Sequence, residues 1–256
     1  MVERMARPVV LITGAARRLG RVLACDFGRR GWAVGLHVHR ADVDAEALVA
    51  EIEALGVAAR VFAADLGDFG AVERLVPAVA AALGAPTCLI NNASVFDYDD
   101  IGSLTSERWD RHFVVNLKAP VFLAKAIAAG LPASASGVVI NMLDQRVWKP
   151  TPHFLSYAGS KAALWSMTQM LAQGLAPRVR VNAIGPGPML QSVHQTDADF
   201  RAQYLSVPLQ RPTSPEEVAA AVRFIVDAPS MTGQMIALDS GQHLAWQTSD
   251  VGDGRG

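Results

Sequence analysis

Apolar residues in this chain come in short runs, and a stretch of mixed character follows each. The runs are "PVVLIT" (8–13), "WAVGLHV" (32–38), "ARVFAAD" (59–65), "TCLINN" (87–92), "GVVINML" (137–143), "VRVNAIG" (179–185) and "GQMIALD" (233–239). Runs this short and this rich in Val, Ile and Leu suit strands buried on both faces. The segments between them, such as "ADVDAEALVAEIEAL" and "AVERLVPAVAAAL", have helical length and period. Strand and helix in alternation predict a parallel sheet covered by helices on both sides. Right-handed crossovers then give a doubly wound α/β architecture, a Rossmann fold in one domain spanning 1–256 with a seven-stranded parallel sheet. One helix start is legible: Ser214, Pro215 and Glu217 read as N-cap, first-turn proline and capping-box glutamate. The polar, glycine-rich end over 248–256 reads as a frayed tail.

In such folds ligands sit beyond the C-terminal ends of the strands. The first strand leads into "TGAARRLG" (13–20), where Gly14 and Gly20 remain from a dinucleotide fingerprint, with Leu19 between the arginines and the second glycine. Glycine lets main chain approach a pyrophosphate, and the helix N-terminus supplies N–H groups. Arg17 and Arg18 add donors that can reach a phosphate or a ligand above it. The second strand ends in "HVHRAD" (37–42). His39 and Arg40 come first there, and such donors suit a 2′-phosphate, which favours NADPH; Asp42 stands close enough to count against it. Asp65 and Leu66, after the third strand, suit an adenine edge.

The stretch "SYAGSKAAL" (156–164) places Tyr157 and Lys161 four apart, on one helix face. A lysine ammonium beside a phenol is expected to lower its pKa, so that Tyr157 works as an acid–base group. Asn116 lies four residues before Pro120, which has no N–H for the Asn116 carbonyl; that predicts a kink and a freed carbonyl able to hold a water. The strand-like "VINMLDQ" (139–145) ends on a carboxylate, Asp144, at a strand end where a ligand is expected.

Taken in order, TGxxxxxG, Asp65, "NNAS" (91–94), Asn116, "YAGSK" (157–161) and "GPGP" (185–188) resemble the short-chain dehydrogenase/reductase family over essentially the whole chain. The resemblance implies that Tyr157 is the acid–base residue, that Lys161 binds the nicotinamide ribose, and that Asn116 serves a proton relay. It also implies that Asn92, Ala93 and Ser94 line the cofactor channel, with Pro186 and Gly187 beside it. Most of the family carries a serine thirteen residues before the tyrosine; here that residue is Asp144. Asp144 in that place, Arg18 in place of a glycine, "LHVHR" and "NNASVF" are similar to the pteridine reductase branch and to bacterial dihydromonapterin reductases. On that resemblance Arg18, Ser94, Phe96, Asp144 and Tyr157 contact the substrate, and Phe96 stacks a pterin against the nicotinamide. A carboxyl partly removed from water would stay protonated and share a proton with Tyr157.

The family further implies a substrate lid over 189–207 and a homotetramer joined through helices near 105–129 and 155–176. Gln191, His194, Trp148, His243 and Trp246 are secondary candidates for the substrate mouth, with packing or solvent exposure as the plainer reading. Composition narrows the field. The formal charge of −1 gives no footprint for nucleic acid, and no apolar run has the length of a membrane span. The start "MVERMARP" has no signal-peptide pattern, so a cytoplasmic protein is expected. Cys25 and Cys88, both in apolar segments, read as buried thiols; His37 and His39 have metal-like spacing but no third ligand, so no metal is expected. The reading is an NADPH-dependent pteridine reductase acting on a small molecule. The alternatives are an NADPH-dependent ketone reductase and a non-catalytic dinucleotide-binding regulator.

Overall fold

The computed structural model describes residues 7–191 and 195–246. Its strands are β1 (Val9–Thr13), β2 (Ala33–Val38), β3 (Ala59–Ala63), β4 (Cys88–Asn91), β5 (Gly137–Met142), β6 (Val179–Pro186) and β7 (Met235–Leu238). They form one parallel sheet in the order β3-β2-β1-β4-β5-β6-β7. The helices are α1 (Arg18–Arg29), α2 (Val43–Glu53), α3 (Phe69–Leu83), α4 (Ser106–Phe113), α5 (Ala119–Gly130), α6 (Leu155–Gly174), α7 (Asp197–Leu205) and α8 (Pro215–Asp227).

Each expected apolar run holds a strand, and the period-2 alternation of side chains divides the core. Val10 and Ile12 of β1 pack with Leu19, Leu23, Leu48, Ile52 and Val222 under α1, α2 and α8. Val9 and Leu11 face the other way, into Val72, Val79, Leu123 and Ile127 under α3 and α5. Burial of each such side chain contributes about 1.5–3 kcal/mol. Cys25 and Cys88 are free and buried within these layers, and burial pushes the Cys25 thiol up to about 11.

Two expectations about local structure need correction. Asp144 does not close a strand: β5 ends at Met142, and Asp144 N-caps a 3₁₀ turn over Gln145–Val147, its Oδ1 accepting from Arg146 N at 2.8 Å. Nor does Pro120 simply kink a helix. The missing N–H is accommodated by a π-helical turn over Val114–Lys118 that joins α4 to α5. The joined helix Ser106–Gly130 is therefore long enough to cross a membrane, and the mean hydropathy of its most apolar stretch is 1.4. That revises the expectation that no such segment exists. Its Leu123, Ala124 and Ile127 are buried in the core, and Lys118 and Lys125 interrupt it. The expected tail over 248–256 lies outside the described residues.

The capping box at α8 forms as its sequence specifies. Ser214 Oγ accepts from Glu217 N at 3.1 Å, and Glu217 Oε2 accepts from Ser214 N at 2.8 Å. Substituting Ser214→Ala is expected to lower stability by about 1 kcal/mol, read as a shifted midpoint in urea unfolding with an unchanged slope.

Candidate active site

The chain turns back between β1 and β4, and a crevice opens there at the strand ends. Thr13 and Asn92 stitch its floor: Thr13 Oγ1 accepts from Asn92 N and Ala93 N, and Asn92 Nδ2 donates to the carbonyls of Thr13 and Gly14. Gly14 has φ +64 and lies against Ala93; a side chain there would be strained and crowded. At Gly20 a Cβ would come within 2.1 Å of the Gly14 carbonyl oxygen, so only glycine allows this turn to close over the start of α1. No side chain caps α1, and its first N–H groups remain available at the crevice.

His37 was read from the sequence as simple strand alternation, yet it supports this turn. Its Nδ1 accepts from Gly14 N at 3.2 Å and its Nε2 donates to the Ala64 carbonyl at 3.0 Å. Both contacts require the neutral ring, and burial lowers its pKa from 6.5 to about 4. The charged residues nearby are largely engaged. Arg17 pairs with Asp42 and Asp44, each at 2.8 Å, and Asp42 also caps α2 through Ala45 N. Asp42, the residue that counted against NADPH, is thus occupied by a cation and a helix end. His39 lies 3.7 Å from Asp65. Arg18 holds φ +52, the conformation a glycine would adopt freely, and its guanidinium donates to the carbonyls of Leu190 and Gln191.

At the other strand ends Tyr157 Oη donates to Asp144 Oδ2 at 3.1 Å. Lys161 Nζ donates to the Met142 carbonyl at 2.8 Å and stands 5.7 Å from the centre of the Tyr157 ring. One electrostatic expectation is reversed. The Tyr157 phenol is pushed well above its usual range, first by burial and then by the Asp144 charge, with Arg146 acting in the opposite direction. Burial brings Lys161 itself down to about 8. Asp144 is not isolated: Arg146 Nη1 pairs with its Oδ2 at 2.8 Å, and Arg146 N donates to its Oδ1. Sequence reading missed Arg146, whose only signal was a cation two residues beyond the unusual acid.

Helix α6, which carries Tyr157 and Lys161, follows Phe154 in the left-handed region, φ 57, without a side-chain cap of its own. Asp99 supplies one from a distant loop. Its carbonyl accepts from Phe154 N and Leu155 N, and its carboxylate takes Ser156 N and Ser156 Oγ. His112 Nδ1 donates to Ser156 Oγ at 2.7 Å, while Asp97 N donates to His112 Nε2. These three buried side chains fix the register of Tyr157, and none was a candidate from sequence. Phe96 stacks on Phe154 at 4.5 Å and meets Tyr157 edge-on at 4.7 Å. Asn116 is buried and committed through its side chain: Oδ1 accepts from Val95 N, and Nδ2 donates to the Val95 carbonyl and to Ser160 Oγ.

A cavity of about 1340 Å³ joins these parts. Among the expected site residues, Gly14, Arg17, Arg18, Leu19, Gly20, His39, Asp65, Leu66, Asn92, Ala93, Ser94, Phe96, Asp144, Tyr157, Lys161, Pro186 and Gly187 line it; Arg40 and Asn116 do not. Met189, Leu190, Gln195, Phe200 and Gln203 close it from the 189–207 segment, part of which is α7 rather than loop. Trp148 and Trp246 are exposed, and His243 donates to Asp239 beside Trp148, outside the cavity wall. His194 lies outside the described residues. No cluster of potential metal ligands occurs among the described residues. The arrangement offers a groove for an anion-bearing dinucleotide and a buried phenol able to give up a proton beside a flat aromatic wall.

Comparison with known proteins agrees with this geometry. Residues 8–201 match the short chain dehydrogenase model. FolM alternative dihydrofolate reductase 1 from Brucella suis, solved in complex with NADP, is 47% identical with a TM-score of 0.92, covering 96% of this chain and 98% of its own. The Brucella canis protein of the same description, also with NADP, is 45% identical with a TM-score of 0.91, covering 97% and 99%. Galactitol 2-dehydrogenase of Agrobacterium fabrum is 33% identical over 260 residues, which is 94% of this chain and 100% of that protein.

The His37 contacts carry a consequence for stability. Its folded pKa lies below its unfolded value, so the unfolded chain binds the extra proton between pH 6.5 and about 4. The contribution is present above pH 6.5 and lost as pH falls through 4, about 3 kcal/mol in all. Denaturant unfolding across that window is expected to follow this loss, and His37→Gln to remove that part of the slope. An imidazole that titrates near 6.5 by NMR would contradict the assignment.

Proposed function

This chain belongs to the short-chain dehydrogenase family of oxidoreductases, and from that premise we propose that it is an NADPH-dependent reductase of a pteridine, a dihydropteridine of the monapterin or biopterin type. The observation that carries the reading is the hydrogen bond from Tyr157 Oη to Asp144 Oδ2 beside the Phe96–Phe154 stack. A flat heterocycle suits the aromatic wall, and the phenol–carboxylate pair beside that wall can deliver the proton its ring nitrogen takes up when the neighbouring carbon is reduced. The likeness to two proteins described as alternative dihydrofolate reductases, both in complex with NADP, supports it.

The residues present fit a dinucleotide: an uncapped helix start, and a glycine turn that a Cβ at Gly20 would fill. The turn over 14–20 would hold the pyrophosphate, with His39 near the 2′-phosphate, Arg40 outside the cavity wall next to it in the chain, and Asp65 and Leu66 at the adenine. Asn92, Ala93 and Ser94 would line the channel to the nicotinamide, with Pro186 and Gly187 at its amide, and Tyr157 and Lys161 at its ribose. When bound, the cofactor supplies a hydride. Tyr157, held as a phenol by its surroundings, gives the proton from Oη to the ring nitrogen. Asp144 accepts from that phenol and orients it, and Arg18 and Phe96 face the substrate. The 189–207 segment serves as a lid that excludes water. A homotetramer joined through the long helices belongs to the same reading.

A second reading, reduction of a carbonyl or oxidation of a polyol, is favoured by the likeness to galactitol 2-dehydrogenase. Steady-state assays with NADPH and a panel of dihydropteridines and ketones separate the two, together with galactitol and NADP⁺. Pteridine turnover above all others is expected, and Asp144→Ser should reduce it far more than any ketone activity. Turnover of ketones or galactitol alone would sink the proposal. Tyr157→Phe is expected to lower kcat by about 10²–10⁴-fold while NADPH still binds, as measured by fluorescence titration.

A further inference from the structure

Asp144 creates an electrostatic difficulty that a serine would not. When Tyr157 gives up its proton, the new phenolate stands 3.1 Å from a carboxylate oxygen. Two anions at that distance in a buried site repel strongly. The cation that meets them is not Lys161, whose Nζ is directed at the Met142 carbonyl. It is Arg146, and the contact is made on both Asp144 oxygens: main-chain N on Oδ1 and Nη1 on Oδ2, each at 2.8 Å. The oxygen that accepts from Nη1 is the one that accepts from Tyr157. Guanidinium and phenol therefore meet on one atom.

The guanidinium is held there by its surroundings. Its carbon lies 5.3 Å from the centre of the Phe154 ring and 5.9 Å from that of Phe96, so it belongs to the aromatic wall of the cavity. Nε is buried without a hydrogen-bond partner. The other titratable groups facing Tyr157 are Lys161 on its own helix and His112 from α4, with ring centres 6.1 Å apart. His112 is kept neutral, with Nε2 accepting from Asp97 N.

We propose that Arg146 is a positioning residue that works as a unit with Asp144: it holds the carboxylate in place and neutralises it, so that Tyr157 can pass its proton to the substrate. The proposal rests on the reading of Tyr157 as proton donor and holds for a C=N or a C=O substrate. In the step, the Tyr157 O–H bond breaks and an N–H or O–H bond forms on the substrate. The neighbouring carbon takes the hydride of the reduced nicotinamide, and the phenolate is reprotonated from water. An acid at 144 is then useful only with a cation two residues later.

The test is a double-mutant cycle read as kcat and its pH profile, with a dihydropteridine and with a ketone. R146Q is expected to lower kcat at least about 100-fold and to move the alkaline limb upward, because the phenolate loses its cation. With the ketone, for which Asp144→Ser alone costs little, D144S/R146Q removes both charges and is expected to exceed R146Q at least about tenfold, the reverse of additivity. R146K, which keeps the charge without the fork, should fall between R146Q and the parent protein. NADPH binding and thermal melts of each variant report folding. An R146Q enzyme with parental kcat and pH profile would overturn the proposal, as would a double variant no better than R146Q with the ketone. A parent protein that reduces only the ketone overturns the pteridine reading and leaves this cycle fully informative.

Discussion

A parallel sheet buried on both faces leaves little room for chemistry. Its central strands are sealed between two apolar layers, β1 alternating its side chains between them without an exposed residue, and only edge strands such as β3 keep exposed positions. Polar groups gather instead where the strands end and the helices begin. There the main chain emerges from its ladder and helix N-termini carry unpaired N–H groups. Every part of the site follows from that constraint: the turn over 14–20 after β1, the segment 91–96 after β4, Asp144 after β5, and Pro186 and Gly187 at and after the end of β6.

Once polar groups are concentrated in a dry crevice, each needs a partner. Burial keeps His37 neutral while its ring nitrogens bond to two main-chain groups, and Arg17 is paired with two carboxylates. Asp99 joins two segments far apart in the chain because the helix carrying Tyr157 begins in a left-handed turn with no cap of its own. Tyr157 is the exception in kind. Burial and the Asp144 charge hold it as a phenol, which suits a group that must deliver a proton. Replacing the usual serine by a carboxylate thus changes more than one hydrogen bond. It alters the charge balance around the proton donor, and Arg146 enters that balance from the opposite side.

The order of elements, the two-sided burial of the strands and the capping box at Ser214 could all be read from the chain, because each depends on residues near one another in sequence. Tyr157 and Lys161 stand four apart on one helix face, whereas Asp144 was given its role through the resemblance to the short-chain dehydrogenase/reductase family. The Pro120 region was legible as a break, though not as a π turn, since the same missing N–H permits either outcome. The 189–207 segment was singled out as following "GPGP", but the placement of α7 within it depended on the Thr196 cap.

What only tertiary structure decided was charge state and partnership. A tyrosine and a lysine four apart on a helix suggest a lowered phenol pKa, but the sign of the shift depends on water exclusion and on Asp144, thirteen residues away. Arg146 is a near neighbour of Asp144 in sequence, yet nothing local shows that its guanidinium returns to the same oxygen that Tyr157 uses. Asp99, His112 and Ser156 come from three segments and meet only after folding. Sequence determines which groups are available and on which face of an element they lie. Desolvation and long-range pairing, which set their protonation, exist only once distant segments have closed over them.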